Sequence, residues 1–149
     1  MKIIIQNDDF DVSTELAMLR RPQVGALVSF VGTVREATAG ASGGVTHLEL
    51  EHYPGMTEKS LAEIASQAIS RWTLNDVVII HRVGKLQISD QIVLVAVASQ
   101  HRGTAFAACE FIMDYLKTEA PFWKKEHREH GTKWVDARST DLQALDKWM

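Results

Sequence analysis

Hydrophobic and polar residues recur with two different periods along the chain, and this pattern predicts both strands and helices. Between residues 45 and 53, apolar and polar side chains alternate, which is typical of a strand with one exposed face, and Pro54-Gly55 closes it. From Leu61 to Trp72, apolar residues return at helical spacing. We therefore expect a helix over about 58–72, with Thr57 as its N-cap.

Three longer apolar runs predict further strands. They cover residues 24–35, 77–84 and 92–99, and the last two are continuous runs of the kind found in strands covered on both faces. After Gly103-Thr104, a second apolar stripe predicts a helix that ends before Pro121, because the residue before a proline is pushed out of the helical conformation.

Two shorter elements complete the predicted fold. Ser13 opens a first helix that runs to about Arg20, and residues 133–137 form a short strand. Strands and helices thus alternate, which indicates an α+β fold in which helices cover a mixed sheet. A length of 149 residues is typical of one domain, so we expect a single domain over 1–149.

Composition narrows the class of protein. Apolar residues make up 46% and charged residues 23% of the chain, as in ordinary globular proteins. The apolar stretch at the N-terminus is too short for a signal sequence or a membrane span, and the single cysteine fits a reducing compartment, so we expect a cytoplasmic protein. The net charge of -3 argues against general nucleic-acid binding, so an anion site must be local.

Three polar clusters follow predicted elements, and convergence of the three would make an anion pocket. They are Thr33-Val34-Arg35, Ser99 to Arg102, and Lys117 to Lys125. His101 and Arg102 precede a helix N-terminus, whose free N–H groups favour a phosphate. They can equally be solvated turn residues, and the local sequence does not decide between the two.

Other candidate residues also have a structural interpretation. Lys117 can be an ordinary lysine that stabilises a helix C-terminus, and the aromatic pair that follows Pro121 can pack on the core rather than stack on a ligand. Cys109 lies on an apolar stripe, so we expect it to be buried and inert. Around His127 and His130, we favour a solvated charged face over a metal site. The chain lacks the motifs of phosphate loops, dinucleotide-binding folds and serine hydrolases.

Several motifs together resemble one known family. In chain order they are Phe30-Val31-Gly32-Thr33-Val34-Arg35, Leu50-Glu51-His52-Tyr53-Pro54-Gly55-Met56, Ile80-His81-Arg82-Val83-Gly84, Phe111-Ile112-Met113-Asp114-Tyr115-Leu116-Lys117-Thr118 and Ala120-Pro121-Phe122-Trp123-Lys124. This set is similar to the MoaE family, the large subunits of molybdopterin synthase. The similarity extends over nearly the whole chain, and the joint occurrence of these motifs is far more specific than any one of them.

The resemblance implies a fold, a partner and a reaction. The fold is an α/β hammerhead, and two large subunits form a homodimer that carries a ubiquitin-like small subunit at each end, giving a heterotetramer. The small subunit's Gly-Gly tail, activated as a thiocarboxylate, delivers sulfur to cyclic pyranopterin monophosphate to form the dithiolene of molybdopterin. The chain would thus be a sulfurtransferase whose pterin is a substrate, with no resident cofactor or metal.

The resemblance also implies roles for individual residues. Lys117 and Lys124 correspond to the catalytic pair, with Lys117 as general acid-base or transient nucleophile and Lys124 stabilising negative charge. The residues corresponding to substrate contacts are Thr33, Val34, Arg35, His101, Arg102, Lys117, Lys124, Lys125, Glu126 and Arg138. The chain departs from the family at Thr33, where some relatives carry a lysine, and in the small, glycine-rich loop over 37–44.

Two other classes of function remain open from the sequence. A non-catalytic adaptor would bind the tail of a ubiquitin-like partner in the same basic pocket. A phosphate sensor would bind a nucleotide or a pterin with no partner protein. Lys117 and Lys124 favour the enzyme over the adaptor, and an assay for dithiolene formation would separate all three.

Overall fold

The computed structural model describes residues 1–36, 45–128, 131–135 and 139–149, which form eight strands and four helices. In chain order these are β1 (Lys2–Gln6), α1 (Val12–Leu19), β2 (Ala26–Thr33), β3 (Val45–His52), α2 (Met56–Trp72), β4 (Asp76–Arg82), β5 (Gly84–Gln87), β6 (Gln91–Ser99), α3 (Arg102–Glu119), β7 (Phe122–Arg128), β8 (Gly131–Val135) and α4 (Ser139–Ala144), followed by a 3-10 turn over Leu145–Trp148. Among the helices in these ranges, none is long and apolar enough to cross a membrane.

The strands form two sheets of four, and the expected α+β class is confirmed. Sheet A has the order β1-β4-β6-β2, in which β1 pairs with β4 in parallel and the other pairs are antiparallel, so this sheet is mixed. Sheet B has the order β5-β3-β7-β8 and is antiparallel throughout. The sequence predicted one mixed sheet, whereas the described strands divide between two.

Helices cover both faces of sheet A, as the continuous apolar runs predicted. On one face, Val77 and Ile79 of β4 pack with α2 and α3 in the largest core cluster. On the other face, Val78 and Ile80 pack with Phe10 and Leu19 around α1. Because successive side chains of a strand point to opposite faces, two covered faces require an unbroken apolar run.

Sheet B is joined to sheet A by a small third core. Leu48 and Leu50 of β3 and Leu86 of β5 are buried there together with Val34, which follows the last residue of β2. The alternation predicted for residues 45–53 is thus confirmed, since the leucines face this core and the residues between them face outward. The core anchors the end of β2 against sheet B.

The structure corrects two predicted helix caps and one strand boundary. Asp11, not Ser13, caps α1, because its carboxylate accepts the backbone N–H of Thr14 at 3.0 Å. Gly55, not Thr57, is the N-cap of α2. Gly84 begins a new strand instead of extending β4, because its φ of 92° turns the chain into a conformation that only glycine adopts readily.

Strands β1, β5 and β7 and helix α4 were not predicted. The apolar segment of β1 has only three consecutive isoleucines, which is too short to distinguish a strand from a helix by period. In β7 the sequence Phe-Trp-Lys-Lys-Glu-His-Arg is dominated by charges, and its pairing with β3 and β8 overrides the weak strand propensity.

Removal of a core side chain from sheet A should reveal how much stability the packed face provides. Leu94 is fully buried beneath α1, so Leu94→Ala should lower the free energy of unfolding by about 2–5 kcal/mol through lost burial and a cavity. Leu142 is 58% exposed in α4, and Leu142→Ala should change stability by no more than about 0.5 kcal/mol. Urea unfolding of both variants measures the difference, and equal losses would contradict this packing.

Candidate functional site

The candidate residues lie at two opposite ends of sheet A. Strand β6 runs from Gln91 to Ser99, and α3 then turns back and packs along β6 and β2. The C-terminal turn of α3 with Lys117 therefore lies at the end of the sheet where β6 begins, where Thr33 pairs with Gln91. We call this the Lys117 end. His101 and Arg102, where α3 begins, mark the opposite end, which we call the His101 end.

Lys117 and Lys124 come from two elements that meet near a buried histidine at the Lys117 end. The ring of His81 stacks on the ring of Phe122, with centroids 3.8 Å apart and planes at 18°. The charge of Lys117 acts on His81 directly, because it contributes to the lowering of the pKa of that imidazole. Phe122 and Lys124 are two residues apart in β7, so their side chains share one face of sheet B.

His81 is held neutral by its surroundings. Burial lowers its pKa to about 4, and the positive charges of Lys117 and His52 act in the same direction. Its Nδ1 lies 2.8 Å from the carbonyl oxygen of Arg82. Because a carbonyl only accepts, Nδ1 carries the proton and donates it there, which fixes the tautomer and leaves Nε2 as an acceptor.

The residues that follow Lys124 do not share its face as a group. Lys125 lies opposite Glu49 in the ladder between β7 and β3, whereas Lys124 lies opposite Leu50. Since neighbouring side chains alternate across a strand, Lys125 projects from the outer face of sheet B, away from the buried leucines. Glu126 lies opposite Leu48 and shares the face of Lys124. The segment is therefore split between two surfaces.

The predicted cluster after β2 also divides. Thr33 and Arg35 are exposed, but Val34 is 2% exposed and packs in the third core. The backbone N–H of Val34 donates to the carbonyl of Asp90, and the carbonyl of Val34 accepts the N–H of Ser89. The main chain of Val34 is therefore bonded to the turn between β5 and β6. Val34 thus anchors the segment that leads to Arg35, and its predicted contact with a substrate stays a prediction.

The five side chains that we expect to face one cavity, built by one chain or completed by both chains of a dimer, do not meet within one chain. Arg102 and Lys117 are fifteen residues apart in α3, which corresponds to about 22 Å along the helix axis at 1.5 Å per residue. His101 and Arg102 are both exposed. The chain brings Arg35, Lys117 and Lys124 to the Lys117 end, and it places His101 and Arg102 at the other. An 18-residue helix between two of the predicted clusters makes this separation unavoidable.

A cavity of about 270 Å³ lies at the His101 end, away from the lysines. It is lined by Trp72, Thr73, Leu74, Asn75, Ser99, Gln100, His101 and Thr104. The hydroxyl oxygens of Ser99 and Thr104 lie 2.6 Å apart, and Thr104 also donates to the carbonyl of His101 at 3.1 Å. These bonds hold the turn that presents His101 and Arg102 to solvent.

The remaining predictions have simpler outcomes. Cys109 is buried, and burial raises the pKa of its thiol to about 11, as expected for an inert side chain. Phe122 packs on the main core, which is the structural interpretation of the aromatic pair. Trp123 is 39% exposed and its ring contacts that of Tyr53. Arg138, His130 and the loop over 37–44 lie outside the described residues. Within the described part of the chain, no group of metal-ligating side chains could hold an ion.

His81 is the residue that sequence reasoning missed. A signal was present, because a histidine followed four consecutive apolar residues in a strand expected to be covered on both faces. Such a position requires a hydrogen-bond partner for the ring, and that requirement points to a buried, neutral histidine.

Comparison with known proteins gives the family. The family model described as MoaE protein matches residues 5–119. The chain belongs to the MoaE family. Among curated relatives, a molybdopterin synthase catalytic subunit from Ralstonia nicotianae is 64% identical over 148 residues, which cover 98% of this chain and 83% of the relative.

Solved structures of MoaE relatives agree with the fold. The molybdopterin biosynthesis MoaE protein from Burkholderia ambifaria is 58% identical, with a TM-score of 0.83, and the match covers 99% of this chain and 98% of that one. A chain from Helicobacter pylori, in a complex of subunits 1 and 2 of molybdopterin-converting factor, has a TM-score of 0.69 over 91% and 92% of the two chains. At 20% identity, this second match supports the fold alone. The MoaE fold expected from the motifs is thereby confirmed.

The neutral state of His81 in this MoaE protein predicts a pH dependence of stability. Its pKa falls from 6.5 to about 4 on folding, so the unfolded chain takes up a proton at a higher pH than the folded chain does. The contribution of His81 to the free energy of unfolding should be constant above about pH 6.5. As the pH drops towards 4, the free energy of unfolding should fall by roughly 3 kcal/mol, at about 1.4 kcal/mol per pKa unit.

Comparison with a variant isolates the contribution of His81. His81→Gln cannot titrate, so urea unfolding should show a shallower loss of stability between pH 6.5 and 4 than in the unmodified protein. From pH 7 to 8, the free energies of unfolding of the two proteins should change with pH in parallel, because the imidazole is neutral in both the folded and the unfolded chain. Identical slopes across the acid range would show that His81 is not buried as a neutral ring.

Proposed function

We propose that the chain is the catalytic subunit of a molybdopterin synthase that transfers sulfur from the C-terminal thiocarboxylate of a ubiquitin-like small subunit to cyclic pyranopterin monophosphate. The product would be the dithiolene of molybdopterin. The observation that carries this proposal is that α3, which carries Lys117, and β7, which carries Lys124, meet at the buried, neutral His81. The name of the Ralstonia nicotianae relative supports it.

The electrostatics of the Lys117 end suit this reaction. A thiocarboxylate and a phosphate are both anions, and they repel each other when they approach to bonding distance. Arg35 follows β2, Lys117 lies in α3 and Lys124 lies in β7, so three separate segments would supply positive charge at this end. Charges held in position before the reaction stabilise developing negative charge without any cost of reorganisation. A neutral His81 adds no further positive charge beneath them.

The two lysines have different positions and therefore different proposed roles. Lys117 is exposed in the last turn of α3, where it can approach the carbonyl carbon of the incoming tail as acid-base or nucleophile. Lys124 is partly buried beside Leu50, which suits a charge that stays in place and stabilises the intermediate.

A second copy of the chain would supply the missing cations. His101 and Arg102 cannot reach Lys117 within one chain, because the length of α3 separates them. In a homodimer with twofold symmetry, the His101 end of one protomer can be placed against the Lys117 end of the other, and the symmetry then builds two identical sites. Such a dimer with one small subunit at each site is the proposed heterotetramer.

Loss of either lysine should abolish sulfur transfer with the fold intact. Lys117→Ala and Lys124→Ala should each lower kcat on the order of 10²–10³-fold, the effect of removing one preorganised charge from a reacting centre. Lys59→Ala, at an exposed position of α2, is the control and should leave kcat unchanged. The assay follows dithiolene formation from a thiocarboxylated small subunit and the pterin phosphate.

The same assay separates the alternatives. An adaptor or a phosphate sensor forms no dithiolene even with the unmodified chain. If Lys117→Ala transferred sulfur at the unmodified rate with the tail still bound, the role of Lys117 would be disproved.

Mixing two inactive variants tests whether each site contains residues of both protomers. Lys117→Ala and Arg102→Ala chains should each be impaired as homodimers, but a mixed dimer has one site in which both residues are intact. Random exchange should therefore restore activity to about a quarter of the unmodified level, since half of the dimers are mixed and each has one intact site of two. Activity that stays at the level of the separate variants would place both residues in a site made by one chain.

A further inference from the structure

A buried hydroxyl ties the segment between the two lysines to a different part of the fold. Thr57, at the start of α2, is fully buried. Its Oγ1 donates to the carbonyl oxygen of Pro121 at 2.9 Å, across 64 positions of sequence. The same oxygen accepts the backbone N–H of Tyr53 at 3.0 Å. The hydroxyl thus donates its one proton to the carbonyl of Pro121 and accepts the N–H of Tyr53 with a lone pair.

This bond acts on the only two residues that separate α3 from β7. Helix α3 ends at Glu119 and β7 begins at Phe122, so Ala120 and Pro121 alone set the angle between the two elements. The N–H of Phe122 donates back to the carbonyl of Ala120 at 2.9 Å, which closes a tight turn centred on Pro121. The turn leaves the carbonyl of Pro121 directed at Thr57.

Two ring contacts hold the same junction from either side. Phe122 stacks on His81, and the ring of Trp123 lies 3.9 Å from that of Tyr53. The backbone of Thr57 also donates to the carbonyl of Tyr53 at 3.0 Å, so the end of β3 and the start of α2 move as one unit. The junction is therefore fixed by apolar contacts on both faces and by one hydroxyl at its centre.

We propose that Thr57 is a positioning residue for sulfur transfer: its hydroxyl fixes the Pro121 turn and thereby the placement of Lys124 relative to Lys117. This inference rests on the proposed function, because it assigns a purpose to the relative placement of the two lysines. Lys117 is two residues before the end of α3, and Lys124 is the third residue of β7. A small rotation at Pro121 would move one lysine with respect to the other without unfolding either element.

Three variants separate the hydroxyl from general stability. Thr57→Val keeps the shape of the side chain but removes the bonds to Pro121 and Tyr53. Thr57→Ser keeps the hydroxyl. Ile64→Val, at a buried position of the same helix, weakens packing without touching the junction. Each is assayed at a temperature at which its circular dichroism is that of the folded protein.

Kinetics give the first result. Thr57→Val should lower kcat on the order of tenfold or more, because small displacements of reacting groups cost rate steeply. KM for the pterin phosphate and the affinity for the small subunit should stay within about twofold, since both cations remain present. Thr57→Ser and Ile64→Val should keep kcat. A Thr57→Val protein with the kcat of Ile64→Val, or a Thr57→Ser protein as slow as Thr57→Val, would overturn the proposal.

Amide hydrogen exchange gives a second result that needs no activity. In Thr57→Val the amides of residues 122–124 should exchange faster than in the unmodified protein, and in Ile64→Val they should not. Unchanged exchange in Thr57→Val would show that the hydroxyl does not fix the turn. If the unmodified protein forms no dithiolene, the proposed function fails, whereas the exchange rates still decide whether Thr57 holds the junction.

Discussion

The packing of α3 back along β6 is the contact on which the position of every candidate residue depends. Ala105, Ala108, Cys109 and Ile112 are buried in the core that this helix forms with sheet A, and the small side chains of the first three let the helix lie close to the strands. Since strand and helix have opposite directions, the helix carries Lys117 to the end at which β6 begins. The same contact leaves His101 and Arg102 at the other end, so it divides the candidate residues between two places.

Around Lys117, burial and charge act together. The His81 ring lies between the end of sheet A and Phe122 of sheet B, so the interface of the two sheets is also the floor of the site. Keeping that ring neutral costs little where its Nδ1–H has a carbonyl partner. A protonated imidazole at this place would repel Lys117. The two elements that carry the lysines therefore meet at a buried ring that carries no charge.

Much of the fold follows from local patterns, while the site depends on pairings that such patterns do not contain. The burial of Val77 to Ile80 and the end of α3 before Pro121 follow from runs of apolar residues and from the geometry of proline. The pairing of β7 with β3 does not, because its charged sequence contains no periodic signal. That pairing decides that Lys124 and Lys125 face opposite sides.

Individual contacts across long stretches of sequence were also beyond prediction. The residue type at Thr57 suggested a helix cap, since an isolated threonine before an apolar stripe has that meaning in most chains. Its bond to Pro121, 64 positions away, is a property of the assembled fold. For His101 and Arg102, the sequence gave the residues but not their distance from Lys117, which the packing of α3 determines.

The central claim is that fixed cations at the Lys117 end let two mutually repelling anions bind at the same time. The most direct test measures the affinity for the pterin phosphate by titration calorimetry, with and without a small subunit whose tail ends in an unreactive carboxylate. We expect the tail to change the affinity little in the unmodified protein, and to weaken it on the order of fivefold or more in Lys124→Gln, where less positive charge offsets the repulsion. The same change in affinity in both proteins would contradict the account.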